Sequence, residues 1–504
     1  MKGLRKSVFV TSVSIMILTI LVSIVFPDIF QETVEKTNNF IGEKFGFFFN
    51  IVALFLVIVC GYLYFSPLGK KVIGGEGAKP LLNKWSWFTV TLCTTIAAGI
   101  LFWSTAEPIY HIVSPPEFLN IDGNSYTASI FSMSTMFLHW GITPYAIYCA
   151  PAAVFAFVHY NMKRPCSFNS CFIPLFGDNI TIKISSFIDS LCLFITGIGL
   201  SASLGVGILS VSGGITQIFH LENDNKIWII TGFIIVICFI ISSASGLMNG
   251  IKFLSNYNTK IFIGILIFVF IFGPTSFICG ISIESLGSYI GNFFEKSLTL
   301  GVVSADNWSR LWTVQYFASW LSWAPMTAIF LGRISYGYTY KDFILINLIL
   351  PACFSILWVS ILGGNSIYIH LNTIDLMLFI EKYGTESVLY KIFEYLPLTK
   401  FMLPILVITI FLSFVTAADS TTNAMASLCV NSNENEKFES PAYIKIIWGV
   451  LMGIIAILMI INRGVMGIKI LSTIGGFPAT FILFMAGISL IKVARSPDKY
   501  INKF

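Results

Sequence analysis

Residues 312–325 read WTVQYFASWLSWAP: three tryptophans, a tyrosine and a phenylalanine in fourteen residues, without a formal charge. At 100° per residue, Trp312, Tyr316, Trp320 and Trp323 fall on one face of a helix. The surrounding chain says what kind of helix this is. Only 11% of its 504 residues are charged and 56% are hydrophobic, where soluble domains carry about 25% charged residues. The chain therefore reads as an all-α polytopic membrane protein, with 312–325 inside one of its spans.

Working outward, runs of about 20 apolar residues mark twelve spans. They lie near 8–26, 46–66, 86–109, 128–158, 185–213, 226–247, 259–280, 311–332, 343–369, 402–428, 443–462 and 467–491. The first run is too long for a signal peptide, and no small-residue cleavage site follows it. Between the spans, 281–308 and 370–401 are too short for domains, and SLGSYIGNFFEKSL at 286–299 has the pattern of an amphipathic surface segment. With the N-terminus inside and span-edge residues assigned to the adjacent loop, inner segments hold 20 of the 30 lysines and arginines and outer segments hold 10. That excess places both termini in the cytoplasm. The net charge of +5 then reflects topology and not nucleic-acid binding.

Enzyme signatures are missing. Most of the ten cysteines lie inside apolar runs with no CxxC or metal spacing, the five histidines form no HExxH, and GGEGAK at 74–79 lacks the spacing and hydroxyl of a P-loop. No cofactor is implied.

Three carboxylates sit within spans: Glu107, Asp189 and Asp419. Charge at membrane depth is costly, so each is a functional candidate. Pro108 after Glu107 frees backbone carbonyls, and Asp419 stands among hydroxyls in FVTAADSTTN. Gating and plain helix-to-helix hydrogen bonding both fit Glu107 and Asp419; Asp189, near a span end, reads as structural. Gly197, Ser201 and Gly205, and likewise Gly199, Ser203 and Gly207, repeat every four residues, which lets helices approach closely. In the fourth span Trp140, Tyr145 and Tyr148 surround Gly141 and Pro144, and in the third Tyr110 follows the Glu107–Pro108 break. Trp320 lies about 14 Å along its helix, too deep for an interfacial aromatic belt. Mid-membrane rings beside helix breaks suit a quaternary ammonium, which cannot donate hydrogen bonds. Each cation–π contact is worth about 0.5–2 kcal/mol. Core packing is the competing use of the same rings.

The strings ILFWSTAEPIYHIVSPP, LHWGITPYAIY, ASLGVGILSVSGGI, GLMNGIKFLSN, WLSWAPMTAIFLGRISYGYT and FVTAADSTT resemble the betaine/carnitine/choline transporter family, in order, from about residue 46 to 490. The resemblance implies two peripheral helices followed by two inverted five-helix repeats, as in amino-acid/sodium symporters, assembled as a homotrimer and working by alternating access. The corresponding divisions are 1–85, 86–280, a surface connection at 281–308, 309–491 and a tail at 492–504. It further implies a trimethylammonium box at Trp140, Tyr145, Tyr148, Trp320 and Tyr110, with Trp323 on the exit path. Two positions depart from the family: Ser319 replaces the first of a tryptophan pair, and Tyr145 stands where tryptophan is commoner.

For a coupling ion the resemblance points two ways. Asn258 occupies the position where sodium-independent exchangers carry arginine, which favours sodium as the coupling ion. Against this, the tenth-span hydroxyl pair reads Thr416-Ala417, a fifth-span threonine is Ala202, and the third span reads TIAAG around Ile96. Ser413, Thr416, Ile96 and Asn258 are the candidate ion-site residues. The implied partners are a small quaternary ammonium substrate and membrane lipid, with no nucleic acid, in the cytoplasmic membrane of a prokaryote. The short ends imply nutritional uptake over self-contained osmosensing. Sodium-coupled uptake and sodium-independent exchange of precursor for product are the two mechanistic expectations.

Overall fold

A chain in lipid must satisfy its backbone hydrogen bonds internally, and this one does so as helix. The computed structural model describes residues 4–96, 99–177, 182–244, 248–304, 306–430 and 441–501; among these, extended pairing is confined to two isolated bridges, Leu4 with Val430 and Val72 with Thr339. A helix lies at each of the twelve expected positions. By length and hydropathy alone, nine helices among the described residues could cross a membrane, or ten if Lys84–Ile96 and Gly99–Val113, bent by 55°, form one span.

Two features account for the difference. Ala442–Arg495 is a pair of helices meeting at Gly464 (φ 53, ψ −135), a backbone conformation that a residue with a Cβ rarely adopts. The eighth span, a π turn over Arg310–Val314 running into Gln315–Ile334, carries Gln315, Ser319, Ser322 and Arg333 and is too polar to be counted. The helix break of the third span includes 97–98, so Ala97 and Ala98 of the TIAAG stretch lie outside the described residues.

Burial separates centre from rim. Within the apolar windows, 94% of Tyr126–Asn161 and 83% of Lys183–Phe219 is buried, against 28% of both Lys6–Val25 and Asn225–Ser242. The fourth and fifth spans are thus the centre, and the first and sixth the exposed rim. Because lipid is as apolar as leucine, close packing and hydrogen bonds hold the centre together. The fifth-span stripe divides accordingly: Gly197 and Gly205 lie against Met16, Ile460 and Ile468, while Gly199 lies against Ser322 and Trp323. A Cβ at Gly476 would fall 2.4 Å from the Ala318 carbonyl oxygen, so the last and eighth spans touch backbone to backbone there. Buried Asp189 pairs with Arg5 at 2.6 Å and accepts from the Ser167 hydroxyl and the Asn169 amide, tying the N-terminal segment to the fifth span. The expected surface connection begins as helix Thr275–Gly291, entered at Pro274, and continues as Phe293–Leu298.

Candidate substrate-binding site

The fourth span stops at Trp140 and restarts at Ile142 because Gly141 (φ −90, ψ −126) breaks it; a Cβ there would fall 2.4 Å from the Phe137 carbonyl oxygen. Beside this broken span and the eighth span lies a cavity of about 90 Å³. Trp140, Tyr148, Tyr316, Ser319, Trp320 and Trp323 line it, with Trp103 and Ile96 from the third span, Ala202 and Ser203 from the fifth, and Lys469 and Ser472 from the last.

Trp320 is the corner of the aromatic walls. Its ring centroid lies 5.3 Å from that of Trp140 at 88° and 5.8 Å from that of Tyr148 at 76°. Trp140 in turn meets Tyr316 at 5.6 Å and 71°, and Trp103 meets Tyr316 at 6.2 Å and 72°. Rings set nearly at right angles offer faces to a shared space, and ring faces attract cations.

A buried hub fixes these rings. Glu107 Oε1 meets His139 Nδ1 at 2.6 Å and His111 Nε2 at 3.0 Å, while Oε2 accepts from Trp140 Nε1 at 2.9 Å and from the Tyr316 hydroxyl. An ionised carboxylate only accepts, so neutral imidazoles carry their protons on Nδ1 of His139 and Nε2 of His111. His139 Nε2 then accepts from the Thr313 hydroxyl at 3.0 Å. The His139 carbonyl accepts from Trp320 Nε1 at 3.1 Å, and its ring stacks on Tyr316 at 4.5 Å. Three walls of the cavity therefore hang on Glu107 and His139. The ligand atoms of Glu107, His111 and His139 lie within 4.8 Å of one another, close enough for a metal, but those atoms already serve as the partners that orient the rings.

The remaining candidates are placed as follows. Trp323 lines the cavity and donates to the Gly199 carbonyl at 2.9 Å. Ser319 lines it too, its hydroxyl 3.4 Å from that of Ser472. Tyr145 points elsewhere: it is fully buried, with its hydroxyl 2.6 Å from Ser355 Oγ on the ninth span. Tyr110 is outside the lining as well; it packs on Trp312 at 5.3 Å and bonds Thr385 at 2.8 Å. Asp419 accepts from the Ser242 hydroxyl at 3.0 Å, joining the tenth and sixth spans.

Of the expected ion residues, Asn258 and Ser413 meet where the third, seventh and tenth spans come together, and Ile96 and Thr416 each lie one turn away. Asn258 Nδ2 donates to Ser413 Oγ at 2.9 Å and approaches Cys93 Sγ at 3.9 Å, and Ser413 gives its own proton to the Thr409 carbonyl at 2.6 Å. Among the described residues, Asn258 Oδ1 is buried without a hydrogen-bond partner. One turn beyond Cys93 is Ile96, which lines the cavity; one turn beyond Ser413 is Thr416, whose hydroxyl donates to the Leu412 carbonyl at 2.8 Å.

Sequence reasoning passed over Trp103, His111, His139 and Lys469. Trp103 stands one turn before Glu107 on the same helix, a spacing the sequence already carried. The i, i+4 spacing of Glu107 and His111 was visible too. The part played by His139, 32 positions away, was not. Lys469, at a span edge, counts with the outer loop by charge alone.

Residues 7–499 match the model of the BCCT, betaine/carnitine/choline family transporter. The chain is 28% identical to the ectoine/hydroxyectoine transporter of Virgibacillus pantothenticus over 98% of each chain. It is 29% identical to the glycine betaine transporter OpuD of Bacillus subtilis, covering 99% of this chain and 96% of that one. Identity to the high-affinity choline transport protein of Escherichia coli K12 is 26%, covering 97% of this chain and 72% of that one.

Proposed function

The chain belongs to the betaine/carnitine/choline transporter family, a multi-pass membrane transporter and not an enzyme, and from that premise we propose that it carries quaternary ammonium compounds across the cytoplasmic membrane by alternating access. The trimethylammonium group is held by cation–π contacts between Trp140, Tyr148 and Trp320, with Tyr316 and Trp103 completing the walls. The observation that carries this reading is the near-perpendicular set of rings around one cavity, with Trp140, Tyr316 and Trp320 held by hydrogen bonds to Glu107 and His139. Three contacts of about 0.5–2 kcal/mol each suffice for micromolar to millimolar binding once hydrogen bonds to the rest of the substrate are added. Relatives named for glycine betaine and choline transport support the class.

Sodium-coupled uptake is the proposed mode. A cation seeks several oxygens, and the partnerless Asn258 Oδ1, together with lone pairs on Ser413 and Thr416, supplies the beginning of such a set, one turn from the cavity wall at Ile96. Exchange without sodium is the second reading, favoured by Ala202 and Ala417, which carry no hydroxyl. A homotrimer with both termini cytoplasmic is part of the proposal and rests on family membership and on the distribution of lysine and arginine. The test is counterflow in proteoliposomes with labelled glycine betaine, carnitine and choline, with and without sodium. Uptake of at least one compound, lost in Trp320→Ala, is expected. Equal uptake by Trp320→Ala and the parent for every compound would remove the box.

A further inference from the structure

The cavity has one formally charged wall. Lys469 lines it together with Trp320 and Tyr316. Its ammonium stands 4.0 Å over the Trp312 ring and 5.5 Å from that of Trp103, and meets the Leu311 carbonyl at 3.4 Å. None of the ion pairs among the described residues includes it. Glu107, the carboxylate on which the box is built, lies outside the lining, and both its oxygens are held by His111, His139, Trp140 and Tyr316. The lysine therefore rests on ring faces, as a cation does when no anion is offered.

Resting on the quaternary ammonium reading above, we infer that Lys469 receives an anionic group of the substrate, so that the transported class is a zwitterion, a quaternary ammonium that also bears a carboxylate, and not a simple quaternary cation. The cavity is bipolar in the required sense. Trp140, Tyr148 and Trp320 form an end for the ammonium. Lys469, Ser472 three residues on along the same face, and the Ser319 hydroxyl beside Ser472 form an end for the carboxylate. The flexible four-carbon stem of lysine lets the ammonium leave the Trp312 face for a carboxylate. A singly charged cation in the same cavity meets only repulsion from Lys469. At a separation of about 8 Å and an effective dielectric constant of about 20, that repulsion disfavours the cation on the order of thirtyfold.

The experiment is competition counterflow with the purified full chain in proteoliposomes, comparing glycine betaine with choline, which carries a hydroxyl in place of the carboxylate. The parent protein should be inhibited by betaine at a concentration at least tenfold below that of choline. Lys469→Met should erase or invert this preference, and Lys469→Arg should keep it. Should Lys469→Met not fold, Lys469→Gln, uncharged and hydrogen-bonding, gives the same reading. Equal potency of the two compounds on the parent, or a betaine preference that survives loss of the charge, overturns the inference. Failure of the underlying reading looks different: neither compound competes, and Trp320→Ala changes nothing.

Discussion

Two polar clusters serve the centre of this transporter, and they are built in opposite ways. Around Glu107 both carboxylate oxygens are engaged, and the donors they hold include two walls of the cavity. Around Asn258 the side-chain oxygen is buried without a partner and the neighbouring hydroxyls bond to their own helices. The first cluster satisfies its carboxylate and fixes two cavity rings, which suits the proposed cage of fixed shape. The second leaves one buried oxygen unsatisfied among the described residues, which suits the proposed coupling ion. Pre-organisation keeps ordering costs low where the substrate binds, whereas a partly open oxygen set belongs where an ion is to come and go.

The comparison breaks first at Glu107. Glu107→Ala leaves several buried donors without an acceptor, and removing one partner of such a network costs about 3–5 kcal/mol. A large fall in the melting temperature of the purified protein and loss of uptake are expected, with Glu107→Gln less damaging to stability. Next, Trp320→Ala removes the corner that both Trp140 and Tyr148 face. Uptake in proteoliposomes should drop on the order of tenfold or more, with Trp320→Phe intermediate because a ring face remains. Third, Asn258→Ala should raise the sodium concentration needed for half-maximal uptake several-fold while betaine binding at saturating sodium changes little; parent uptake indifferent to sodium would hand the mechanism to exchange. Smallest are Tyr145→Phe and Tyr110→Phe. Each loses one hydrogen bond outside the cavity, worth about 1 kcal/mol, and uptake measured side by side with the parent should stay within about twofold.

How far the sequence reached differs between the two clusters and the frame that carries them. Spans are legible because lipid demands long apolar runs, and even the break at Gly464 fell between two expected spans. The cavity position of Trp320 and the burial of Glu107 were legible. Helical phase was legible in the eighth span. Tyr316, Trp320 and Trp323 share the cavity as their spacing predicts, and Trp312 stacks on Tyr316 at 6.5 Å one turn before them, outside the lining and against Tyr110. In the fourth span Tyr148 faces the cavity and Tyr145 turns to Ser355; at 100° per residue Tyr145 lies about 140° from Trp140, so spacing separated from Trp140 a residue that the resemblance had put in the box. His139 and Lys469 were illegible for another reason. Their partners come from different spans, and nothing in local spacing announces a contact across 32 or 157 positions.

The central claim is that ring faces hold a positive charge, and one substitution in the ligand tests it. Glycine betaine and its carbon isostere, a tert-butyl group in place of the trimethylammonium, share shape and carboxylate but differ in that charge. In counterflow with the parent protein, betaine should compete at concentrations at least tenfold below those of the isostere, and Trp320→Ala should shrink the gap. Equal competition by the two compounds would show that the box selects shape and hydrophobicity alone, and would contradict the account.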